Sequence, residues 1–169
     1  MHFESMRGEP LHYVAQEIRA AGGDIDHPID LMVSVTRLSG GYKHLKDSLY
    51  VERSDSDGIL HYAAYWIDSE VLGIVVTSTP TDPEDTIKPT TKGRVIRLDA
   101  LQEVAIGDTC VVRNDSFISS DVEMDAAWRL VLTDGSAIIV PKFGIPGDST
   151  RRGRLDKFID AAFAAIRTS

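Results

Sequence analysis

Residues 128–166 constrain the fold more than any other stretch. Two apolar, β-branched runs, Trp128-Arg129-Leu130-Val131-Leu132-Thr133 and Ser136-Ala137-Ile138-Ile139-Val140, flank Asp134-Gly135. Asp-Gly in that setting is a strong hairpin signal, because a type I′ turn needs positive φ at both central positions. A two-residue turn sets Thr133 opposite Ser136. It then pairs Leu132 with Ala137 and Leu130 with Ile139 on the face of Trp128, leaving Val131/Ile138 and Arg129/Val140 on the other face. Pro141, Gly144, Pro146 and Gly147 break the sheet, and Asp148, Ser149 or Thr150 offers an N-cap. Leu155, Phe158, Ile159, Ala162, Phe163 and Ile166 follow at helical spacing on one side, so this terminal helix needs a sheet to lie on.

With 169 residues and 18.6 kDa the chain reads as one domain, large enough to bury roughly two thirds of its unfolded surface. Its one cysteine, Cys110, lies in the apolar run Thr109-Cys110-Val111-Val112, is expected to be a small buried side chain, and suits a reducing compartment. The start Met1-His2-Phe3-Glu4-Ser5 lacks the basic and apolar regions of a signal peptide. The stretch Val71–Val76 is far short of the ~20 apolar residues of a membrane span. The expected location is therefore the cytoplasm. Net charge is −8 and uneven: residues 1–85 hold 6 Lys/Arg against 15 Asp/Glu, and residues 86–169 hold 12 against 11. That balance disfavours nucleic-acid binding, which rests on neutralising phosphates, but leaves room for a local basic site in the second half.

Taken in order, Glu9 and Pro10 open a helix with Leu11, Val14, Ala15, Ile18 and Ala21 in phase, stopped by Gly22-Gly23. The acidic segment to Asp30, with His27, reads as a solvated loop, since nothing fixes the convergent oxygens that a hard cation needs. Leu31, Val33 and Val35 alternate with Met32, Ser34 and Thr36, which predicts a strand. Lys43–Lys46 fits either irregular chain or a helical turn, and Ser48–Arg53 predicts a strand. Ser54-Asp55-Ser56-Asp57-Gly58 is a turn and not a calcium loop, because Arg53 and Ala64 stand where the first and twelfth ligands would be. Aromatic and β-branched runs then predict a hairpin of strands 59–67 and 71–78 around Asp68-Ser69-Glu70. Thr79–Gly93 is expected to be a long loop, a length that usually marks function or mobility. Strands at 94–98, 103–106, 109–113, 127–133 and 136–141 complete the pattern, with a polar, acidic segment from Asn114 to Asp125.

Counted from Ile59, seven antiparallel strands precede one C-terminal helix. This order, with Arg94-Val95-Ile96-Arg97-Leu98-Asp99-Ala100-Leu101-Gln102-Glu103-Val104 and Trp128-Arg129-Leu130-Val131-Leu132-Thr133-Asp134-Gly135, resembles bacterial members of the pleckstrin-homology-like (PH-like) superfold over roughly residues 59–167. The resemblance implies an α+β, mainly β chain: an antiparallel sandwich or partial barrel of about seven strands, capped by the helix, and normally a noncatalytic platform. Residues 1–58 are then a helix-and-strand extension on a core of 59–169. In lipid-binding members basic residues line the loop between the first two strands. Here Asp68-Ser69-Glu70 is acidic, which argues against phosphoinositides. A closed barrel with a ligand cavity under the helix gives the same string of elements.

The chemistry-bearing residues are sparse. His2, His12, His27, His44 and His61 have no metal-ligand spacing, and there is no phosphate loop, dinucleotide fingerprint or nucleophile elbow. No catalytic residue, metal or cofactor is assigned. Arg151, Arg152 and Arg154 cluster where the last helix begins, where anions are favoured, unless Asp148, Asp156 and Asp160 pair with them. Lys88, Lys92, Arg94 and Arg97 form a second, looser basic group. Tyr65 falls on the face opposite Tyr62 and Trp66, so either core packing takes up these aromatics, the expected reading, or one aromatic surface is open to a partner. The expected function is a noncatalytic adaptor that binds a protein partner through an exposed sheet edge, the Thr79–Gly93 loop and the basic group at Arg151, Arg152 and Arg154. The alternative is a barrel for a small molecule or anionic lipid, lined by Trp66, Trp128, Phe158 and Phe163, and an enzyme of unknown class is the third reading. Nothing in the sequence requires a homo-oligomer.

Overall fold

The computed structural model describes residues 9–22, 28–41, 43, 45, 47–82, 84, 86–113 and 123–168, with the backbone alone at 9, 10, 22, 108–113, 123 and 124. The fold is α+β and mainly β. Helices α1 (Glu9–Gly22) and α2 (Ile29–Ser39) precede strands β1 (Tyr50–Ser56), β2 (Ile59–Ile67), β3 (Val71–Pro80) and β4 (Thr90–Arg97). A 3₁₀ turn at Leu98–Ala100 leads to β5 (Leu101–Arg113), β6 (Glu123–Leu132) and β7 (Ala137–Val140), and α3 (Ser149–Thr168) closes the chain. The strands form two antiparallel sheets, ordered β1-β2-β3-β4 and β5-β6-β7. They do not close into a barrel.

The four-stranded sheet is covered on both faces, which explains why β2 reads Ile-Leu-His-Tyr-Ala-Ala-Tyr-Trp-Ile with little polar alternation. Successive side chains point to opposite faces. Tyr62, Ala64 and Trp66 pack with Val14, Ile18, Leu31 and Val35 of the two N-terminal helices. Tyr50, Ala63, Tyr65, Leu72 and Ile74 pack instead with Leu130, Ile138 and Val140 of the second sheet and with Leu155, Phe158, Ile159 and Ala162 of α3. The molecule is therefore layered as helices, sheet, then second sheet with α3. Core packing therefore takes up these aromatics, and the alternative of an open aromatic surface falls, since Tyr62, Tyr65 and Trp66 are all fully buried. The strand before Ile59 is part of the same sheet: β1 pairs with β2 from Tyr50↔Tyr65 to Ser56↔Ile59.

The predicted strand at 31–36 is the helix α2. Leu31, Val35 and Leu38 also stand at i, i+4 and i+7, and that spacing prevails because it lays an apolar stripe on the sheet. Pro28 accepts the first main-chain bonds through its carbonyl, and Gly40, at φ 71°, ends the helix in the left-handed region. The β-branched Val33 and Val35 carry only a weak local preference against it.

The two Asp-Gly pairs behave differently. Asp57 (φ 53°) and Gly58 (φ 73°) both have positive φ and join Ser56 to Ile59 as a two-residue hairpin turn. At the second pair only Gly135 has positive φ, at 81°. Leu132 N–H there donates to the Ser136 carbonyl at 2.8 Å, which makes a three-residue loop of Thr133, Asp134 and Gly135. The Asp134 carboxylate holds that loop by accepting from Ser136 N–H at 2.8 Å and Ser136 O–H at 2.6 Å. The register is consequently one residue from the expected one: Leu130 faces Ile138 and Trp128 faces Val140. A one-residue slip exchanges the faces of the whole strand. Ile138 and Val140 point into the core and Ile139 is exposed.

Smaller corrections follow from strand length. β4 starts at Thr90, so the connection after β3 is residues 81–89 and not Thr79–Gly93. The elements predicted at 103–106 and 109–113 are one strand, β5, interrupted by a register shift between Ile106 and Cys110. The α1 and α3 predictions hold, with Val14, Ile18 and Ala21 and then Leu155, Phe158, Ile159 and Ala162 buried. The expectations for residues 23–27 and 114–122, and for the Cys110 side chain, lie outside the described residues.

Candidate functional site

The site begins with a buried acid. Glu52 lies on the β1 face that Tyr50 shares, pointing between the sheets, and is 4 % exposed. A charge there needs donors. It has three: the Tyr65 hydroxyl at 2.7 Å, and the main-chain N–H groups of Lys142 at 2.7 Å and Phe143 at 2.8 Å. The Glu52 carboxylate thus ties the chain just after β7 to the first sheet. Burial pushes its pKa up, countered in part by those hydrogen bonds and by the charge of Lys142. Burial likewise raises the hydroxyls of Tyr65 and Tyr50, and the negative charge of Glu52 adds to both.

That tie holds one wall of a cleft of about 500 Å³ between the sheets. Its apolar floor is Tyr65, Ile74, Val76 and Ile138, and the cations Lys92, Arg94 and Lys142 border it. All three are exposed. Lys92 and Arg94 sit at alternate positions of β4, paired with Val76 and Ile74 of β3, and so share the inward face. On the other side Ala137, Ile138 and Ile139 line the cleft consecutively. Side chains of a strand alternate between faces, so three successive residues meet a cavity where it runs along the strand's edge. β4 and β7 each have one sheet neighbour, β3 and β6 respectively. Gly93 lets α2 seat behind the cleft, since a Cβ there would lie 2.6 Å from Leu38 Cδ1.

The structure separates the basic residues picked out from sequence. Lys92 and Arg94 line the cleft, joined by Lys142. Arg94 also lies near enough to the Asp134 turn for its charge to help lower that carboxyl, after the hydrogen bonds from Ser136. Lys88 is exposed in the connection before β4. Arg97, at the far end of β4, pairs with Asp99 at 2.8 Å and borders a different hollow with Ser69, Glu70 and Thr168. The cluster at α3 is engaged within the molecule: Arg151 pairs with Asp148 at 2.6 Å and Arg152 with the buried Asp125 at 3.3 Å. Asp148 is the N-cap, accepting the Arg151 N–H at 2.8 Å, and that bond, with the Arg151 charge, lowers its pKa. The helix end is thus already served by a carboxylate of the chain itself. Arg154 is half-buried on the same helix.

The proposed aromatic lining does not share one space. Trp66 packs under α1 and α2, whereas Phe158 is in the core on the other side of the sheet. Trp128 and Phe163 meet edge to face at 5.8 Å on that second side. Sequence reasoning missed Glu52 and Lys142. A charged residue in phase with Tyr50 on a predicted strand was the available sign of Glu52, while Lys142 sits in a Pro/Gly-rich segment with no periodicity. Among the described residues no group of three or more His, Cys, Asp or Glu side chains is placed to hold a metal, and no helix is long and apolar enough to cross a membrane. No family model, curated protein or solved structure matches the chain.

Proposed function

We propose that this chain is a noncatalytic, PH-like interaction domain of the cytoplasm that binds a protein partner at the cleft between β4 and β7. The observation that carries the reading is the cleft: an apolar floor bordered by Lys92, Arg94 and Lys142, between two strand edges, in a chain whose net charge is −8. Concentrating cations at one apolar hollow of an acidic protein selects an acidic partner by attraction there and repulsion elsewhere. The order of a four-stranded meander, a three-stranded meander and a C-terminal helix supports the PH-like reading. With β1 as the first strand, the loop between the first two strands is Asp57-Gly58, again acidic, and gives phosphoinositide binding no support.

The apolar floor favours a second reading, a small amphiphilic anion held in the cleft. The two are separated by native mass spectrometry of tagged protein purified gently from its own cells, as wild type and as Lys92→Glu/Arg94→Glu/Lys142→Glu. A protein complex kept by the wild type and lost by a folded triple variant supports the partner reading. A complex equally retained by both refutes the site. A monomer carrying a few hundred extra daltons transfers support to the small anion.

A further inference from the structure

We propose that the partner enters this cleft as an extended acidic segment that adds a strand to the free edge of β7. The inference rests on the protein-partner reading and specifies its chemistry. In an antiparallel pair, residues alternate between those that exchange main-chain hydrogen bonds with their opposite and those that turn N–H and C=O away. Ser136 accepts from Leu132 across the hairpin, so Ile138, opposite Leu130, has the same parity and bonds to β6. Ala137 and Ile139 therefore present their N–H and C=O groups on the side away from β6, which is the side lined by the cleft. β7 is four residues long and ends at Pro141, so the edge offers one short pairing site and not a long template.

A strand laid along that edge would pass over the inward face of β3 and β4. There Lys92 and Arg94 stand two residues apart, about 6.8 Å along the strand, the same repeat as side chains on one face of an added strand. Carboxylates at alternate positions of the segment can meet both cations. Lys142, fixed through its own N–H by Glu52, stands at the β7 end of the same cleft. Apolar residues at the intervening positions have Ile139, 43 % exposed, beside them. Main-chain bonding at β7 gives affinity, and the cations select the sequence.

The test uses the full ¹⁵N-labelled chain with three probes: a short synthetic peptide alternating Glu and Val, its Lys-Val counterpart, and dodecanoate. The Glu-Val peptide is expected to slow amide exchange at Ala137 and Ile139. Its affinity should fall about tenfold or more in Lys92→Glu/Arg94→Glu, the size expected from losing two partly exposed charge contacts. The same variant should gain affinity for the Lys-Val peptide, an exchange of preference that unfolding cannot produce. Ile139→Pro removes an N–H from the free edge while leaving β6 pairing intact, and should weaken the Glu-Val peptide in the wild-type charge background. Equal binding of both peptides, binding without protection at Ala137 and Ile139, or occupation of the cleft by dodecanoate or a second copy of the chain in place of the peptide would each overturn strand addition. If the peptides fail while the charge-dependent complex persists in native mass spectrometry, the inference falls and the partner reading stands.

Discussion

Replacing Glu52 by Ala tests the tie that positions the cleft. The substitution leaves the Lys142 and Phe143 N–H groups and the Tyr65 hydroxyl facing a void, and the two main-chain donors cannot turn away. Each buried donor left unmet costs about 1–3 kcal/mol, for a gross loss of about 3–9 kcal/mol across the three. Release of the carboxylate from its desolvated position offsets part of this, so a net loss of about 3 kcal/mol is expected. For a domain of this size that lowers the melting temperature by about 6–12 °C. Urea unfolding followed by far-ultraviolet circular dichroism and tryptophan fluorescence measures it, with hydrogen exchange at Lys142 and Phe143 as the local readout. Glu52→Gln keeps an acceptor oxygen and should cost about 1 kcal/mol. An Ala variant within about 0.5 kcal/mol of wild type, with unchanged exchange at both amides, would refute the reasoning.

Two further outcomes follow from the packing and the charges. Because burial raises the Glu52 pKa, the native state binds more protons than the unfolded chain above the ordinary carboxylate range, so Glu52 erodes stability as pH rises through its folded value. The stability of Glu52→Gln relative to wild type should therefore improve as pH rises above the ordinary carboxylate range, and a flat or opposite difference in urea titrations contradicts this. Asp148 has the opposite sign: its lowered pKa contributes stability that is lost only as pH falls below the usual aspartate range. Gly73 faces Trp66 across β2 and β3, and a Cβ there would overlap the buried indole ring. Gly73→Ala should cost about 3 kcal/mol by overpacking, and Trp66→Leu/Gly73→Ala should lose less than the sum of its single changes by about 1–2 kcal/mol in a double-mutant cycle. Additive losses would show that the ring does not occupy that space.

What the sequence disclosed about the fold followed the strength of its periodicity. α3 carries six apolar residues in unbroken phase, so its buried side was legible. At α2 the same residues fit a period of two and of 3.6, and only the sheet beneath Leu31, Val35 and Leu38 decides between them. The second hairpin was legible as a hairpin but not in register, because the three-residue loop depends on the side-chain bonds of Asp134 to Ser136. The site was half legible. Lys92 and Arg94 were picked out by charge, yet so were Arg151 and Arg152, and charge alone cannot show that Asp148 and Asp125 already hold those two. Glu52 and Lys142 come together from distant parts of the chain, a pairing that no local pattern encodes.

The most direct test of the cleft as a partner site is in-cell crosslinking with a photoreactive amino acid placed at Ile139, compared with the exposed Ile29 on α2. The account predicts a discrete protein adduct from position 139 that disappears in the Lys92→Glu/Arg94→Glu background and does not form from position 29. An adduct of equal yield from both positions, or one at 139 indifferent to the charge reversal, would contradict it.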